Sequence, residues 1–464
     1  MRRSVAALVS AFVAAATLAP SHPGLTAAGT IDSITGPANR PGSAALAAAE
    51  RIVGLTEVVT IFNKANALDA VVQGKAVAAA EAAGAAWALG RGATVGLRTV
   101  RRGQAVVKAA PSGFQFPMAF TALPINAVGP LLGPALSSVL GNGQIVMSAK
   151  SAALNNARAG DVIDLVADDG LIRSFTIGMV ADDALVGGTE LLFTTAMADD
   201  LGVVIETRIV LWGFASRGII DAGLAAQGLT TRTDTRIRRS WDPVDPDGTL
   251  GLASTKRLLG EFAYHVSTDD ALTLTSDWIA TFLPPDGEIF VVDIPIRARC
   301  NLRIKADLTA ALTEVAQAGL AGAIDVDNAN TYGGCFNPRF SRMGAAIGTV
   351  SRHSWAGALD TNTVTNAQGA VPQMNCDVVR IFRKHNFAWG GNFLTSDGMH
   401  FEWVGSRRDQ LQYPSKYCPN VPPIGGAEHV PDTRPALTAE GTAQESASQP
   451  SRGTLFADDG WGGE

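Results

Sequence analysis

The sequence predicts a multidomain protein with a helical N-terminal segment, a β-rich middle domain and a C-terminal α+β domain with a small antiparallel sheet. Three observations lead to this prediction. Alanine dominates residues 43–110, β-branched runs fill residues 143–213, and the chemically active side chains concentrate in residues 331–403. With 464 residues, 47% of them hydrophobic, the chain can build two or three domains, which excludes a disordered chain or a small disulfide scaffold.

Residues 1–28 predict an export signal. Two arginines precede an apolar run at 4–19 that is too short to span a bilayer comfortably. An uncleaved N-terminal membrane anchor is the alternative. We therefore expect an extracellular or cell-wall protein, either free or held at the outer face of the membrane.

Residues 29–115 predict an alanine-rich helical segment. Its larger apolar residues recur at near-helical intervals, and Gly90 and Gly92 interrupt the pattern. The apolar face could pack on its own chain, on a partner helix or on a membrane surface, and packing on its own chain is favoured.

Residues 116–230 predict a β-rich domain. β-Branched runs bounded by Gly, Asp and Asn support this interpretation, at 144–147, 162–166, 174–180 and 203–211. The runs at 159–165, 175–180 and 191–198 resemble the extracytoplasmic domains of ABC-exporter permeases. No cluster of His or Cys occurs in this region, so a scaffolding or partner-binding role is expected, and an envelope protein partner could bind through residues 29–230.

Residues 231–289 predict a polar connection, because the prolines and aspartates at 241–248 favour turns. A C-terminal domain is expected at 290–422. The tail at 423–464 has few aliphatic residues and cannot build a core, so we expect it to be disordered.

The four cysteines all lie in the last third of the chain, at Cys300, Cys335, Cys376 and Cys418. In an oxidising compartment, this even number predicts up to two disulfides. Three pairings are possible from the sequence. The pairing of Cys300 with Cys335 and of Cys376 with Cys418 is preferred.

The charge pattern argues against a nucleic-acid partner. The formal net charge is -6 and no long Lys/Arg tract occurs, so the positive surface that grips phosphates is missing.

Two short motifs near the C-terminus carry the chemistry. His353 is followed seven residues later by Asp360, and His400 lies between Asp397 and Glu402 in the second motif. The chain has only six histidines. Two of them lie in short motifs with acidic residues, which chance produces less often than a lone histidine in an apolar stretch. Two imidazoles and a carboxylate suit a catalytic zinc, which commonly keeps three protein ligands and one open position.

Residues 290–405 resemble the zinc D-alanyl-D-alanine carboxypeptidases of the VanY type and the related L-alanyl-D-glutamate endopeptidases of phage lysins. Their signature is Ser-x-His-x-x-Gly-x-Ala-x-Asp, followed by an acidic residue three positions before a final His. The matching residues are Ser351, His353, Ala358, Asp360, Asp397 and His400. Two positions depart from the pattern: Ala356 replaces the glycine, and Asp397 stands where many members have Glu.

This resemblance also bears on the source of the protein. The motif variants look like actinobacterial members of the family, and 29 arginines against 8 lysines favour a GC-rich genome.

The resemblance implies that His353, Asp360 and His400 bind Zn²⁺. Asp397 would act as general base and then as general acid. Arg339 would hold the oxyanion or a substrate carboxylate, for which its planar fork is suited, and a purely structural arginine is the alternative.

Three further residues are expected near the metal or the substrate. Ser351 is interpreted as orienting the ligand loop and not as a nucleophile, because the motif places no base beside it. Glu402 should face the same side of a strand as His400, which makes it an alternative base or a partner of a ligand. Trp389 is expected in the core or in the cleft wall.

The implied function is cleavage of the stem peptides of peptidoglycan, with a D-alanyl-D-alanine carboxypeptidase favoured. An L-alanyl-D-glutamate-type endopeptidase is the first alternative. A non-catalytic wall-binding or regulatory protein is the second, although none of the four motif residues of the metal site has been lost. A subunit of an envelope assembly, with catalysis secondary, is the third.

Overall fold

The computed structural model describes residues 56–63, 67–231, 235–267, 271–285, 289–326, 332–411, 413 and 415–420. By internal contacts, the chain divides into residues 1–54 and 55–464, and every described residue belongs to the second unit. The predictions for residues 1–28 and 423–464 lie outside the described residues.

The first part of the described chain is built on ten strands. They are β1 (Val58–Asn63), β2 (Ala86–Arg102), β3 (Ala105–Ala109), β4 (Phe116–Leu123), β5 (Ile145–Ser148), β6 (Val162–Val166), β7 (Ile172–Ala181), β8 (Leu191–Thr194), β9 (Arg208–Trp212) and β10 (Thr235–Arg239). The helices between them are α1 (Ala70–Ala82), α2 (Ile125–Leu132), α3 (Pro134–Gly141), α4 (Ala149–Leu154), α5 (Thr195–Asp200) and α6 (Arg217–Ala226).

Six of these strands close into a barrel in the order β2, β4, β8, β5, β7, β6 and back to β2. The pairs β4–β8 and β5–β7 are parallel, and the other pairs of the barrel are antiparallel. Closure satisfies the backbone hydrogen bonds of both edges. The predicted β-rich middle domain is therefore confirmed, although it includes β2, which lies before the expected boundary at residue 116.

The beginning of β2 extends the barrel into a four-stranded antiparallel layer of order β10, β1, β9, β2. Helices α1 and α6 cover one face of this layer, where their small apolar residues pack on Ile61 and Leu211. Asp69 caps α1 by accepting hydrogen bonds from two backbone amides of its first turn.

The prediction of helix across residues 29–115 is wrong for most of the part that the structure describes, since only α1 is helical there. Strand β1 is buried along its whole length because both of its faces are covered: Val59 and Ile61 pack in one apolar cluster and Val58 in another, which hides the alternation typical of strands. The glycines of β2 serve close packing: a Cβ at Gly92 would lie 2.2 Å from Arg208 Nη2. Residues 29–55 and 64–66 lie outside the described residues.

The prediction of a polar connection at residues 231–289 is also wrong. After β10, this segment contains helix α7 (Leu252–Leu259), the hairpin β11 (Tyr264–Val266) and β12 (Leu272–Leu274), and helix α8 (Ser276–Phe282). Phe262, Trp278 and neighbouring apolar residues belong to the core of the C-terminal domain. Its aspartates are not solvated turn residues, because Asp247 is buried against Arg383.

The remaining elements form the predicted C-terminal α+β domain. They are helix α9 (Lys305–Gln317), strands β13 (Tyr332–Gly334) and β14 (Ala358–Thr361), helix α10 (Cys376–Lys384), and strands β15 (Phe387–Trp389) and β16 (His400–Trp403). The four strands make an antiparallel sheet of order β13, β14, β16, β15. The expected small antiparallel sheet is thus confirmed.

Both preferred disulfides are present: Cys300 pairs with Cys335, and Cys376 pairs with Cys418. Among the described residues, no helix combines the length and the apolar character that a bilayer crossing requires.

Candidate metal centre

His353 lies on a short 3-10 helix, Arg352–Trp355, whose first amides need capping. The Ser351 hydroxyl accepts a hydrogen bond from the backbone amide of His353 (3.2 Å). The His353 ring then places Nδ1 2.9 Å from the backbone carbonyl of Cys335. Since that carbonyl can only accept, Nδ1 carries the proton and Nε2 presents its lone pair on the other side of the ring.

The helix ends at Ala356, which occupies the glycine position of the motif. Its backbone is left-handed, with φ 49° and ψ 31°, a conformation that costs an L-residue with a Cβ about 1–2 kcal/mol. The departure is tolerated, because the side chain is only a methyl group and lies in the core.

The sheet brings the other two expected ligands together. Asp360 and His400 are direct partners in the antiparallel pairing of β14 with β16. Partners at this position have side chains on the same face. Two residues separated by 40 positions are therefore fixed side by side by backbone register.

The three side chains converge on one point. His353 Nε2 lies 3.2 Å from Asp360 Oδ2, and His400 Nδ1 lies 3.1 Å from Asp360 Oδ1. Each residue offers one donor atom, and these atoms all lie within 4.8 Å of one another. The three residues are buried.

This donor set fits a zinc ion. Two neutral imidazole nitrogens and one carboxylate are the ligand types and the number found at catalytic zinc, which keeps its fourth position open. The Cys335 carbonyl behind His353 is the kind of second partner that fixes the tautomer of a metal-binding histidine.

The electrostatics of Asp360 are consistent with this assignment. Burial alone would raise the pKa of the Asp360 carboxyl, but without a metal the positive charge of protonated His353 and His400 rings and their hydrogen bonds lower the pKa well below its ordinary value. The carboxyl group is therefore ionised at neutral pH, as a metal ligand must be.

Glu402 lies on the same strand face as His400, as expected. Its Oε2 is 3.6 Å from His400 Nε2, while its Oε1 accepts a hydrogen bond from Arg352 Nε at 2.9 Å. Glu402 is buried and engaged by this arginine. Glu402 therefore places a carboxylate beside the far nitrogen of His400, while His400 Nδ1 faces Asp360.

Asp397 lies in the turn before β16. Its backbone amide donates to the Gly390 carbonyl (2.8 Å), and its carbonyl accepts from the His400 amide (3.2 Å). A Cβ at Gly390 would come within 2.6 Å of the Asp397 carbonyl oxygen, so glycine is required for this close approach. The carboxylate is buried, and Gln368 Nε2 lies 3.5 Å from its Oδ2.

A cleft of about 500 Å³ opens beside the metal ligands. It is lined by Gly333, Asn337, Arg339, Arg342, His353, Asp360, Thr363, Ala367, Gln368 and Met399. Arg339 therefore lies at the cleft, and its Nη1 donates to the Phe340 carbonyl (3.2 Å).

Trp389 is fully buried and does not line this cleft. Its Nε1 donates to the Gly398 carbonyl (2.9 Å), and its backbone amide donates to Asp247 Oδ1 (3.0 Å). Trp389 therefore supports the turn between Asp397 and His400 from the core side. Of the two expected positions, the core and the cleft wall, it occupies the core.

Sequence reasoning missed several residues of the cleft, notably Arg342, Gln368, Asn337 and Thr363. They come from loops without a periodic pattern, and no motif marked them. It also missed Arg352, although its position next to a ligand could have indicated a supporting role.

A family model described as D-alanyl-D-alanine carboxypeptidase matches residues 345–403. The match contains the three clustered donors and Asp397, and it covers a small part of the chain. It supports, at a coarse level, a metallopeptidase domain of a zinc peptidase family that acts on peptidoglycan. Comparison with curated proteins found no match to the chain.

Proposed function

We propose that this protein is an exported, zinc-dependent D-alanyl-D-alanine carboxypeptidase that trims the stem peptides of peptidoglycan. The observation that carries the proposal is the convergence of His353, Asp360 and His400 on one point beside a cleft, within the segment that matches the family. Zinc at this point would supply a Lewis acid beside the scissile carbonyl.

The residues of the chain have separate tasks in this proposal. His353, Asp360 and His400 hold the metal. Asp397 accepts the proton of the attacking water at its carboxylate and then delivers it to the leaving amine. A carboxylate can do both, because it is ionised before the attack and protonated after it.

Arg339 binds the negative charge of the substrate, either the terminal carboxylate or the oxyanion. A planar guanidinium can donate two parallel hydrogen bonds to a carboxylate, which fixes orientation as well as charge. Its place in the cleft beside His353 supports this task.

Export is supported by the two disulfides, which form and persist in oxidising environments outside the cytosol. An envelope protein partner for residues 29–230 stays a prediction, as does the likeness of the middle domain to permease domains.

The proposal is tested by incubating the purified zinc-loaded protein with muropeptides ending in D-Ala-D-Ala and identifying the products by mass. The intact protein and the variant His385→Ala should each remove one alanine from the muropeptides. The variant His400→Ala should remove none. His385 is a matched control, because it pairs with Glu314 away from the cleft.

Two results would contradict the proposal. Cleavage after L-Ala would assign the endopeptidase alternative, for which Asp397 in place of Glu is a point in favour. No cleavage by a protein that carries one zinc per chain would favour the non-catalytic wall-binding alternative.

A further inference from the structure

The segment 339–350 joins the metal site to the barrel, and we call it the 339–350 arm. Phe340 bridges to Val350 in antiparallel pairing, and the Ser341 amide donates to the Thr349 carbonyl (2.8 Å). The chain thus leaves the ligand loop, turns through a short 3-10 helix at Ala345–Ile347 and returns.

Both ends of this arm are anchored. At its base, the Ser351 amide donates to the Arg339 carbonyl (3.0 Å), and the Arg339 amide donates to Ser354 Oγ (3.1 Å). At its tip, Ile347 is buried in the hydrophobic core of the barrel. Gly348 sits so close to the barrel that a Cβ there would lie 2.2 Å from the Thr94 carbonyl oxygen. The arm is therefore fixed between the metal loop and the barrel.

The arm carries two arginines that line the cleft, Arg339 and Arg342. Arg342 is exposed and makes no hydrogen bond or ion pair with any part of the chain that the structure describes. The one carboxylate in the cleft lining is Asp360, whose charge is committed to the two histidines. Arg342 is thus a cation on a rigid support, available to a ligand.

We propose that Arg342 is a specificity-determining residue that binds a second carboxylate of the substrate, in addition to the one held near Arg339. The inference rests on the proposed function and names its substrate class: stem peptides whose third residue has a side-chain carboxylate. Stem peptides in general carry meso-diaminopimelate or L-lysine as their third residue, and only meso-diaminopimelate has a side-chain carboxylate.

The spacing of the two arginines agrees with this assignment. Three positions apart, their Cα atoms can be separated by at most roughly 11 Å. The third and fifth residues of an extended stem peptide are about 7 Å apart. One arginine can therefore reach the terminal carboxylate while the other reaches the side chain of the third residue.

The test compares two pentapeptides, L-Ala-D-Glu-X-D-Ala-D-Ala, with X as meso-diaminopimelate or as L-lysine. The zinc-loaded protein should prefer the diaminopimelate peptide about tenfold in kcat/KM, mainly through KM, as expected for a charge-assisted contact. Arg342→Gln should remove the preference by raising KM for the diaminopimelate peptide about tenfold. Arg257→Gln, an exposed arginine of α7 outside the cleft, should keep the preference.

Calorimetric binding of the two tetrapeptide products gives a readout that does not need turnover. The intact protein should bind the diaminopimelate product about tenfold more tightly, and Arg342→Gln should bind both alike. Equal affinities in the intact protein, or a preference that survives in Arg342→Gln, would overturn the inference. A binding preference without any cleavage would uphold it while refuting the proposed function.

Discussion

Asp397 and Glu402 flank His400 in the sequence but have different surroundings in the fold. Glu402 is engaged by Arg352 and faces the far nitrogen of His400, whereas the Asp397 carboxylate lies 3.5 Å from Gln368, a residue that lines the cleft. A base must be able to exchange a proton with the substrate site. The surroundings therefore favour Asp397 as the base.

Asp397→Asn should lower kcat by about 10²–10⁴-fold, the usual contribution of a general base, and leave the zinc content unchanged. Glu402→Gln should instead weaken zinc binding by about 10–100-fold, because it loosens the support of a ligand. Both effects are measured by steady-state kinetics at saturating zinc and by zinc titration. A large kcat loss in Glu402→Gln with little in Asp397→Asn would reverse the assignment.

At this scale, the grouping of His353, Asp360 and His400 could be predicted from the sequence, because one short motif contains His353 and Asp360 and a second contains His400. Motifs carry this information since the local backbone of each is nearly self-contained. Arg342 and Gln368 could not be predicted, because their place beside the metal depends on how distant loops pack.

At the scale of elements, the two disulfides secure different parts of the C-terminal domain. The bond between Cys376 and Cys418 ties the first residue of α10 to the segment after the sheet. The bond between Cys300 and Cys335 secures the residue whose carbonyl accepts from His353 Nδ1. Both bonds should stabilise the fold, and only the second should matter for the metal.

Replacing either pair with serine should lower the free energy of unfolding by about 4 kcal/mol, because the bridged residues are 42 and 35 positions apart and the loop entropies are similar. Urea unfolding under oxidising conditions measures this. Zinc affinity should fall only for the Cys300→Ser, Cys335→Ser double variant. Equal zinc affinities in the two double variants would show that the Cys335 carbonyl does not position His353.

Secondary structure was predictable where local pattern and tertiary environment agree. The run at 162–166 coincides with β6, because its central apolar residues Ile163 and Leu165 lie in the barrel core and turn residues mark its ends. The pattern failed for β1, whose two faces are both buried, and for β2, where close contacts at glycines override local preference.

At the scale of the whole molecule, the barrel and the C-terminal domain share a buried ionic contact. Lys256 of α7 lies 2.6 Å from Glu190 Oε1, which belongs to the barrel, and both side chains are completely buried. Lys256 Nζ also donates a hydrogen bond to the Pro117 carbonyl (2.9 Å). Burial would lower the pKa of Lys256, but Glu190 and Glu261 raise it above the ordinary value, so the lysine stays charged.

Lys256→Met should destabilise the protein by about 3–5 kcal/mol, because it leaves the Glu190 carboxylate buried without its main cation. Lys150→Met removes a partly exposed pair with Asp183 and should cost less than about 1 kcal/mol. Chemical unfolding of the two variants measures the difference. Equal losses would mean that the contact between barrel and peptidase domain contributes little.

The domain boundaries could not be predicted from composition. The prolines and aspartates at 241–248 are typical of a linker, yet Asp247 accepts hydrogen bonds from Arg383, Trp389 and Asn392. These three hydrogen-bond donors lie more than 130 positions away in the sequence, so local composition could not indicate that Asp247 is buried. A fragment limited to residues 290–422 would lack α7, α8 and this aspartate, so activity is best measured on the whole protein.

The central claim is that His353, Asp360 and His400 form one zinc site. Its most direct test is a calorimetric titration of the metal-free protein with zinc, alongside the variants His353→Ala and His385→Ala. We predict one zinc per chain for the intact protein and for His385→Ala, and loss of this binding in His353→Ala with its fold retained by circular dichroism. Unchanged zinc binding by a folded His353→Ala variant would contradict the account.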